Sequence, residues 1–354
     1  LKRHGIYLLT FLLGLGFQTL SAQVTLNGGK GQLRLVDAEP VTPGHLYVNA
    51  FYSVFVEKQD DVQLLSTGKK EIHSVLIKDN ALNLNVTLGL FKFMEVFLHT
   101  VPYQDNQHDL WGPIGDTQTG FKLHVPNGNS WLQPGLQAYA QFPTTPNHDI
   151  PYETFTFEHN GWALLGLLNM DLKNTGSAKP LKLTLNLGYR DANWLDRYFA
   201  DKKDQLLFGA GFKFPLRGYQ LYSEVTGEMF VNQRETHFRQ NPIRFSQGLR
   251  LIAMQDFIVD VAADIRLGGY RPTSEEVNRN PYLRRYADWK LHVGASYRTT
   301  VFTPITPEEK VNRAQQNEEK RKLDEIRKKR EQVTKELEEL KKSVEKEKKE
   351  KQPL

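Results

Sequence analysis

The sequence predicts an all-β transmembrane barrel of about twelve antiparallel strands, with a C-terminal periplasmic α-helix. Three observations carry this expectation: a strand-period alternation that recurs up to about Phe302, a regular exchange of very short with long connections, and an abrupt change to a charged tail. Leu82-Asn83-Leu84-Asn85-Val86-Thr87-Leu88-Gly89-Leu90 is the cleanest alternating segment, and Leu181–Arg190 and Trp289–Arg298 repeat it. Side chains on a strand point to opposite faces in turn, so each segment has one apolar and one polar face. A soluble sandwich hides the apolar faces. A membrane barrel turns them to lipid and encloses the polar ones.

Alternation places strands at 45–57, 81–90, 93–103, 115–125, 130–142, 160–173, 180–190, 204–215, 218–230, 244–255, 257–268 and 288–302. Glu71–Lys78 reads as an extension of the second strand beyond the membrane. Every second connection is short: Phe91-Lys92, Pro126–Asn129, Asn174–Lys179, Leu216-Arg217 and Gln255-Asp256. Those between are long: Lys58–Asn80, Gln104–Pro113, Pro143–His159, Asp191–Lys203, Val231–Ile243 and Gly269–Ala287. Short turns on one side and long loops on the other are the asymmetry of a membrane barrel. Aromatic residues flank the strands, among them Tyr47, Phe51, Phe55, Trp131, Trp162, Trp194, Trp289 and Tyr297, as expected of interfacial girdles.

The amino-terminal 22 residues carry Lys2 and Arg3, an apolar run from Ile6 to Leu15, and small residues at Ser21 and Ala22, the layout of a signal peptide. That run falls short of the roughly 20 residues of a membrane-crossing helix. With no other long apolar stretch, strands must do the crossing. The chain has no Cys, which excludes disulfides, a thioether lipid anchor and Cys-ligated zinc or iron–sulfur centres. No other metal-ligand spacing occurs, and no cofactor is expected.

The last strand, with His292, Gly294, Tyr297 and Phe302, resembles the terminal signal that bacterial barrels present to their insertion machinery. Gly115-Asp116-Thr117, with Gly120-Phe121-Lys122, resembles the start of a strand in many such barrels. Residues 45–302 thus resemble bacterial outer-membrane β-barrels of the porin and OmpA-like class. The resemblance implies the outer membrane with both termini periplasmic, contact with lipid, and recognition of the last strand by the insertion machinery.

If polar faces point inward, the lumen is lined by Lys122, His124, Lys182, Arg190, Glu224, Glu228, Arg250, Asp260, Asp264, Arg266, Lys290 and Arg298. Opposite charges on neighbouring strands should pair: Glu224 and Glu228 with Arg250, and Asp260 and Asp264 with Lys290 and Arg298. Twelve strands fall between the eight that side chains fill and the sixteen that leave an aqueous channel. Either a narrow polar pore or a filled network satisfies the pattern. Residues 23–43, before the barrel of residues 44–303, are a periplasmic leader or a lumen plug. Their Gly28-Gly29-Lys30-Gly31 lacks the Lys-Ser/Thr ending of a phosphate loop.

Residues 304–354 form a charged helical segment, starting at Thr306-Pro307-Glu308-Glu309. Leu323, Ile326, Val333, Leu337, Leu340 and Val344, with Arg330 in the seam, follow heptad steps, and Glu331–Lys335 and Glu338–Lys342 are favourable pairs. From Pro307 on there are 16 basic and 13 acidic residues, +3 of the formal +5. A solvated single helix and a coiled coil both fit, the latter joining a second copy or a periplasmic partner through residues 307–351. Mixed signs without stacking aromatics argue against nucleic acid.

Catalysis is not expected. His292 and Ser296 share a face but lie four residues apart, ~13 Å along a strand. Asp105, His108 and Asp109 in one loop, or His148 and Asp149 in another, are candidates only by residue type. The expected function is a porin-like passive channel for small polar solutes, or a non-conducting scaffold barrel acting through its helix or its extracellular loops.

Overall fold

The computed structural model describes residues 24–64, 70–105, 114–126, 131–145, 156, 158–175, 180–195, 203–216, 218–232, 238–252, 256–268, 270–273, 276, 279, 280, 283, 286–303, 318–333, 335, 337, 341 and 342. The expected signal peptide and the loop residues His108, Asp109, His148 and Asp149 lie outside them.

Twelve strands close into one antiparallel barrel. They are β1 (His45–Leu64), β2 (Lys70–Phe91), β3 (Met94–Asp105), β4 (Thr117–His124), β5 (Leu132–Phe142) and β6 (Gly161–Asp171). Then follow β7 (Lys182–Asp191), β8 (Gln205–Leu216), β9 (Tyr219–Phe230), β10 (Ile243–Ile252), β11 (Phe257–Arg266) and β12 (Trp289–Thr300). Each pairs with its sequence neighbours, and β12 returns to β1 with Asn49 opposite Ser296 and Ser53 opposite His292. Closure leaves no sheet edge, so every strand has ladder partners on both sides.

The expected loop at 58–80 is largely ladder: β1 and β2 stay paired from Leu46–Leu88 out to Leu64–Lys70. The sequence of residues 57–64 is mostly polar, so it lacks the alternation that marks a strand facing lipid. Backbone pairing does not need that contrast.

Burial is inverted relative to a soluble protein. On β7 Thr184 and Asn186 are buried, while Leu185 and Leu187 are 41% and 62% exposed. On β12 His292 and Ser296 are buried, and Leu291, Val293 and Tyr297 exposed. Tyr47, Phe51 and Phe55 depart from the girdle expectation: each is 1% exposed and faces the interior. They share a strand face with Asn49 and Ser53, which period two makes unavoidable. Trp131, Trp194, Trp289 and Tyr297 do lie on the exposed side.

The charged tail is a separate unit, residues 303–354, with helix α1 over residues 318–333. Glu318 and Lys322 pair at 2.9 Å, and Leu323, Ile326, Val333 and Leu337 are exposed.

Exposed leucines on a membrane barrel are in contact with lipid. Leu187→Arg should therefore destabilise the barrel folded into lipid vesicles by about 2–4 kcal/mol if the residue sits near the bilayer midplane. Urea unfolding in vesicles measures it. A change within about 0.5 kcal/mol, as for an ordinary water-facing site, would contradict the inverted assignment.

Candidate channel lumen

The interior is occupied by the chain's own residues 24–43. This segment folds into two tight turns, closed by bridges Val24–Lys30 and Gly31–Val36 and by Leu26 N–H donating to Leu33 O at 2.6 Å. Gly28 and Gly29 have φ of 91° and 82°, a conformation that side-chain-bearing residues rarely adopt. Leu33, Leu35, Val36, Ala38 and Val41 are all buried. Leu26 and Leu33 pack with Phe51, Tyr222 and Ala262, and Val36 and Ala38 with Ala163, Leu165 and Leu167. A Cβ on Gly209 or Gly211 would lie 2.5 or 2.7 Å from the Leu35 side chain, so β8 is bare where the segment is bulkiest.

Two short turns cannot satisfy their own backbone, and a buried amide without a partner is costly. The barrel wall supplies the partners. Glu224 accepts from the N–H groups of Arg34 (2.9 Å) and Leu35 (3.1 Å). Glu95 accepts from Lys30 N–H (2.9 Å) and Val41 N–H (2.5 Å). Asn186 bonds Val36 both ways at 2.8 Å, through Oδ1 and Nδ2. Thr87 accepts from Gly29, and Asn169 from Ala38. Asn85 Nδ2 donates to Thr25 O and Leu26 O. Arg250 donates to Gly31 O (3.0 Å) and Gln32 O (3.2 Å) while its Nε bonds Asp260 at 2.6 Å. These wall residues come from β2, β3, β6, β7, β9 and β10, so the segment is held around most of the circumference.

Charge pairs add to this framework. Lys213 pairs with Asp37, Arg34 with Asp264 (2.6 Å), and Glu39 with Lys30 (3.0 Å) and Lys182 (3.6 Å). Lys122, wholly buried, pairs with Glu95 at 2.7 Å. Burial alone would raise the Asp37 and Glu39 carboxyls, but their lysines outweigh it. Asp37 lies well below its ordinary value, and Glu39 falls from 4.5 to about 2.

The structure places the twelve lumen candidates on the inner side or at its mouths, but pairs them differently from the sequence expectation. Register sets Arg250 opposite Gln220 and Asp260, and Glu224 opposite Ser246, so the Glu224–Arg250 pair does not form. Glu228 instead meets Arg190 (2.9 Å) and Arg244 (3.2 Å). Lys290 stands opposite Asp264 in the ladder but reaches Asp79 at 2.7 Å, while Asp264 is held by Arg34 and His292. Arg298 binds Asp256 at a barrel end, Arg266 binds Asp288, and Lys182 binds Asp171. His124, partly exposed, lies beside Pro134 O. Sequence reasoning missed Glu95 and Asn169, because inward positions such as Glu95, Phe97 and His99 on β3, or Leu165, Leu167 and Asn169 on β6, mix polar with apolar residues and hide the alternation; Asn85 was legible only as part of a polar strand face.

It also missed a chain across the β11–β12–β1 seam. Ser53 Oγ lies 2.7 Å from His292 Nδ1, and His292 Nε2 lies 2.9 Å from Asp264 Oδ2. The residue types are those of a hydrolase triad. Yet the same Asp264 oxygen is 2.6 Å from the Arg34 guanidinium, which opposes the imidazolium that a general base must become. The arrangement serves better as a tie between wall and segment.

Toward the long-loop end a cavity of about 100 Å³ remains, lined by Arg34, His99, Gln104, Glu228, Asp264 and Arg266 among others. A second, of about 90 Å³, shares Asn27, Arg34, Gln118 and Glu228 with it and runs on past Tyr139, Asn186 and Leu207.

Two outcomes follow. Since the chain has no Cys, Val36→Cys is a specific probe, expected to resist a water-soluble maleimide in the folded barrel. Adding Glu224→Ala, which strands two buried amides, should speed labelling by about tenfold or more, and equal rates would contradict the tie. The depressed Asp37 and Glu39 carboxyls stabilise docking fully above their ordinary values, and that share is lost as pH falls from about 4.5 toward 2. The extra protection of the segment's amides that the parent shows over Glu39→Gln should therefore persist from about pH 8 to about pH 5 and shrink only below, as that carboxylate is protonated; amide hydrogen exchange measures it.

No family model and no curated protein sequence matches this chain. Among solved structures it is similar to the COG4313 outer membrane channel from Pseudomonas putida F1, with TM-score 0.50 and 11% identity over 76% of this chain and 100% of that one. The NanC porin follows at TM-score 0.40 and 9% identity, covering 71% and 98%, and the Pseudomonas putida toluene transporter TodX at 0.37 and 8%, covering 74% and 90%. The chain has the closed, channel-type β-barrel fold of bacterial outer-membrane proteins.

Proposed function

We propose that this protein is a passive outer-membrane channel for small polar solutes, restricted by its own N-terminal segment. One observation carries the reading: a polar cavity and a second, more apolar one share lining residues and together run past Leu26, Asn27, Arg34, Leu35 and Val36 of the segment, leaving the interior incompletely filled. A purely structural barrel would gain by filling that space with apolar side chains, since buried ion pairs are rarely better than well-packed hydrocarbon. The short turns and both barrel termini lie at one end, which we assign to the periplasm, and the long loops to the outside. Arg34, Arg190, Glu228, Arg266 and Lys290 then line the path.

Passage does not require covalent chemistry, and we read the Ser53–His292–Asp264 chain as non-catalytic. A scaffold role through the tail is the second reading, favoured by the exposed row of Leu323, Ile326, Val333 and Leu337. A helix left with such a seam is a surface for a second copy or a periplasmic partner.

Planar-bilayer recording tests the first reading. Small discrete currents are expected from the full chain, and larger unitary currents when Glu95→Ala and Glu224→Ala loosen the segment. Silence from both proteins, with the barrel verified as inserted, would reject a channel. Deleting residues 307–354 should leave conductance unchanged. If it abolishes oligomers while neither protein conducts, the scaffold reading is the better one.

A further inference from the structure

We infer that Asn27, at the tip of the internal segment's first turn, is the residue that sets the charge selectivity of the channel, a proposal that deepens the channel reading and rests on it.

The two cavities meet at four side chains. Asn27, Arg34, Gln118 and Glu228 line both, so an ion moving from one cavity to the other passes them. Three of the four are committed elsewhere. Asp264 holds Arg34 at 2.6 Å, and Arg190 and Arg244 hold Glu228 at 2.9 and 3.2 Å. Gln118 Nε2 donates to Gln141 Oε1 at 3.3 Å. Asn27 is different. Among the described residues its side chain has no hydrogen-bond partner, and of the described residues 24–41 it alone is exposed. The turn lies inside the barrel, so that exposure is to the interior space.

The backbone beneath this side chain is fixed. Thr25 N–H donates to Gly29 O at 2.8 Å and Thr25 Oγ1 to Gly28 O at 2.7 Å. From the wall, Asn85 Nδ2 donates to Leu26 O at 2.7 Å, and Thr87 Oγ1 accepts from Gly29 N–H at 3.0 Å. Gly28 lies so close to Phe97 that an added Cβ would sit 2.7 Å from the ring. Position 27 is therefore pinned from both flanks, and a different side chain there changes the passage without disturbing the turn.

A charge at this position would act on surroundings that have none to spare. Among the described lining residues of the larger cavity five are basic and three acidic. Asp288, 2.8 Å from Arg266, and Asp79, 2.7 Å from Lys290, bring the acids to five. Around the smaller cavity the described charges are Arg34 and Glu228, one of each sign. The neutral amide of Asn27 leaves this balance intact. Cavities of about 100 and 90 Å³ hold several waters each, so a passing ion comes close to the lining. At ~4 Å a unit charge acts on an ion by more than the thermal energy, even in water.

Planar-bilayer recording of the full chain in a KCl gradient at low salt, where screening is weak, tests the assignment. The parent should pass potassium and chloride almost equally. Asn27→Asp should raise the potassium-to-chloride permeability ratio by about threefold or more, and Asn27→Lys should lower it as much. Thr42→Asp and Thr42→Lys, exposed on the same segment but outside both cavities, should shift the ratio less. Strand content by circular dichroism and an unchanged urea midpoint confirm that each variant is folded. If the parent conducts but both Asn27 variants keep its ratio, the inference fails and the channel reading stands. Equal shifts from position 42, or a parent already strongly selective for one sign, overturn it as well. Silence from every protein, with the barrels verified as inserted, rejects channel and inference together.

Discussion

A backbone amide or carbonyl hidden inside a barrel in lipid is costly without a partner, and this constraint shapes the whole molecule. Strands satisfy one another by closure, with β12 returning to β1. Residues 24–43 have no such ladder, so their amides and carbonyls are met by side chains projecting inward from the wall. Glu95 and Glu224 each take two N–H groups, Asn85 and Arg250 each take two carbonyls, and Asn186 takes one of each. The wall's polar pattern is therefore a template for a particular backbone path as well as a lining.

This template explains features that a simple pore would not need. Tyr47 and Phe51 face inward because the segment brings apolar side chains, Val24, Val41, Leu26 and Leu33, that must be covered. Gly209 and Gly211 leave the space that Leu35 fills. Lys122 tolerates complete burial because Glu95 neutralises it, and Glu95 in turn holds the segment at both Lys30 and Val41. Removing one partner of such a network costs more than its share, since the remaining charge is left buried.

Most of the fold was legible in the sequence, because alternation and loop length are local signals. All twelve strands were readable, as was the outward direction of the apolar faces. Of the β1–β2 hairpin beyond residue 57 only the Glu71–Lys78 extension of the second strand was legible, since a ladder outside lipid needs no apolar face. The lumen was legible only as a list of inward residues. Which of them meet depends on register, and a shift of a few residues replaces Arg250–Glu224 by Arg250–Asp260. Ser53 beside His292 arises only when the first and last strands close, a contact between residues 239 positions apart. Glu95 was invisible because its strand alternates charge with aromatic and aliphatic neighbours on the same inward face. Whether residues 23–43 lead in from outside or fold inside was likewise beyond any local pattern, as it rests on side chains from six strands.

Amide hydrogen exchange of the segment tests the central claim most directly, because it reads the very groups that the wall is said to hold. In the barrel at neutral pH, the N–H groups of Gly29, Lys30, Arg34, Leu35, Val36, Ala38 and Val41 should exchange far more slowly than in an unstructured peptide, approaching the protection of the strands. Exchange at these seven positions as fast as in a free peptide, while the strands stay protected, would contradict the account.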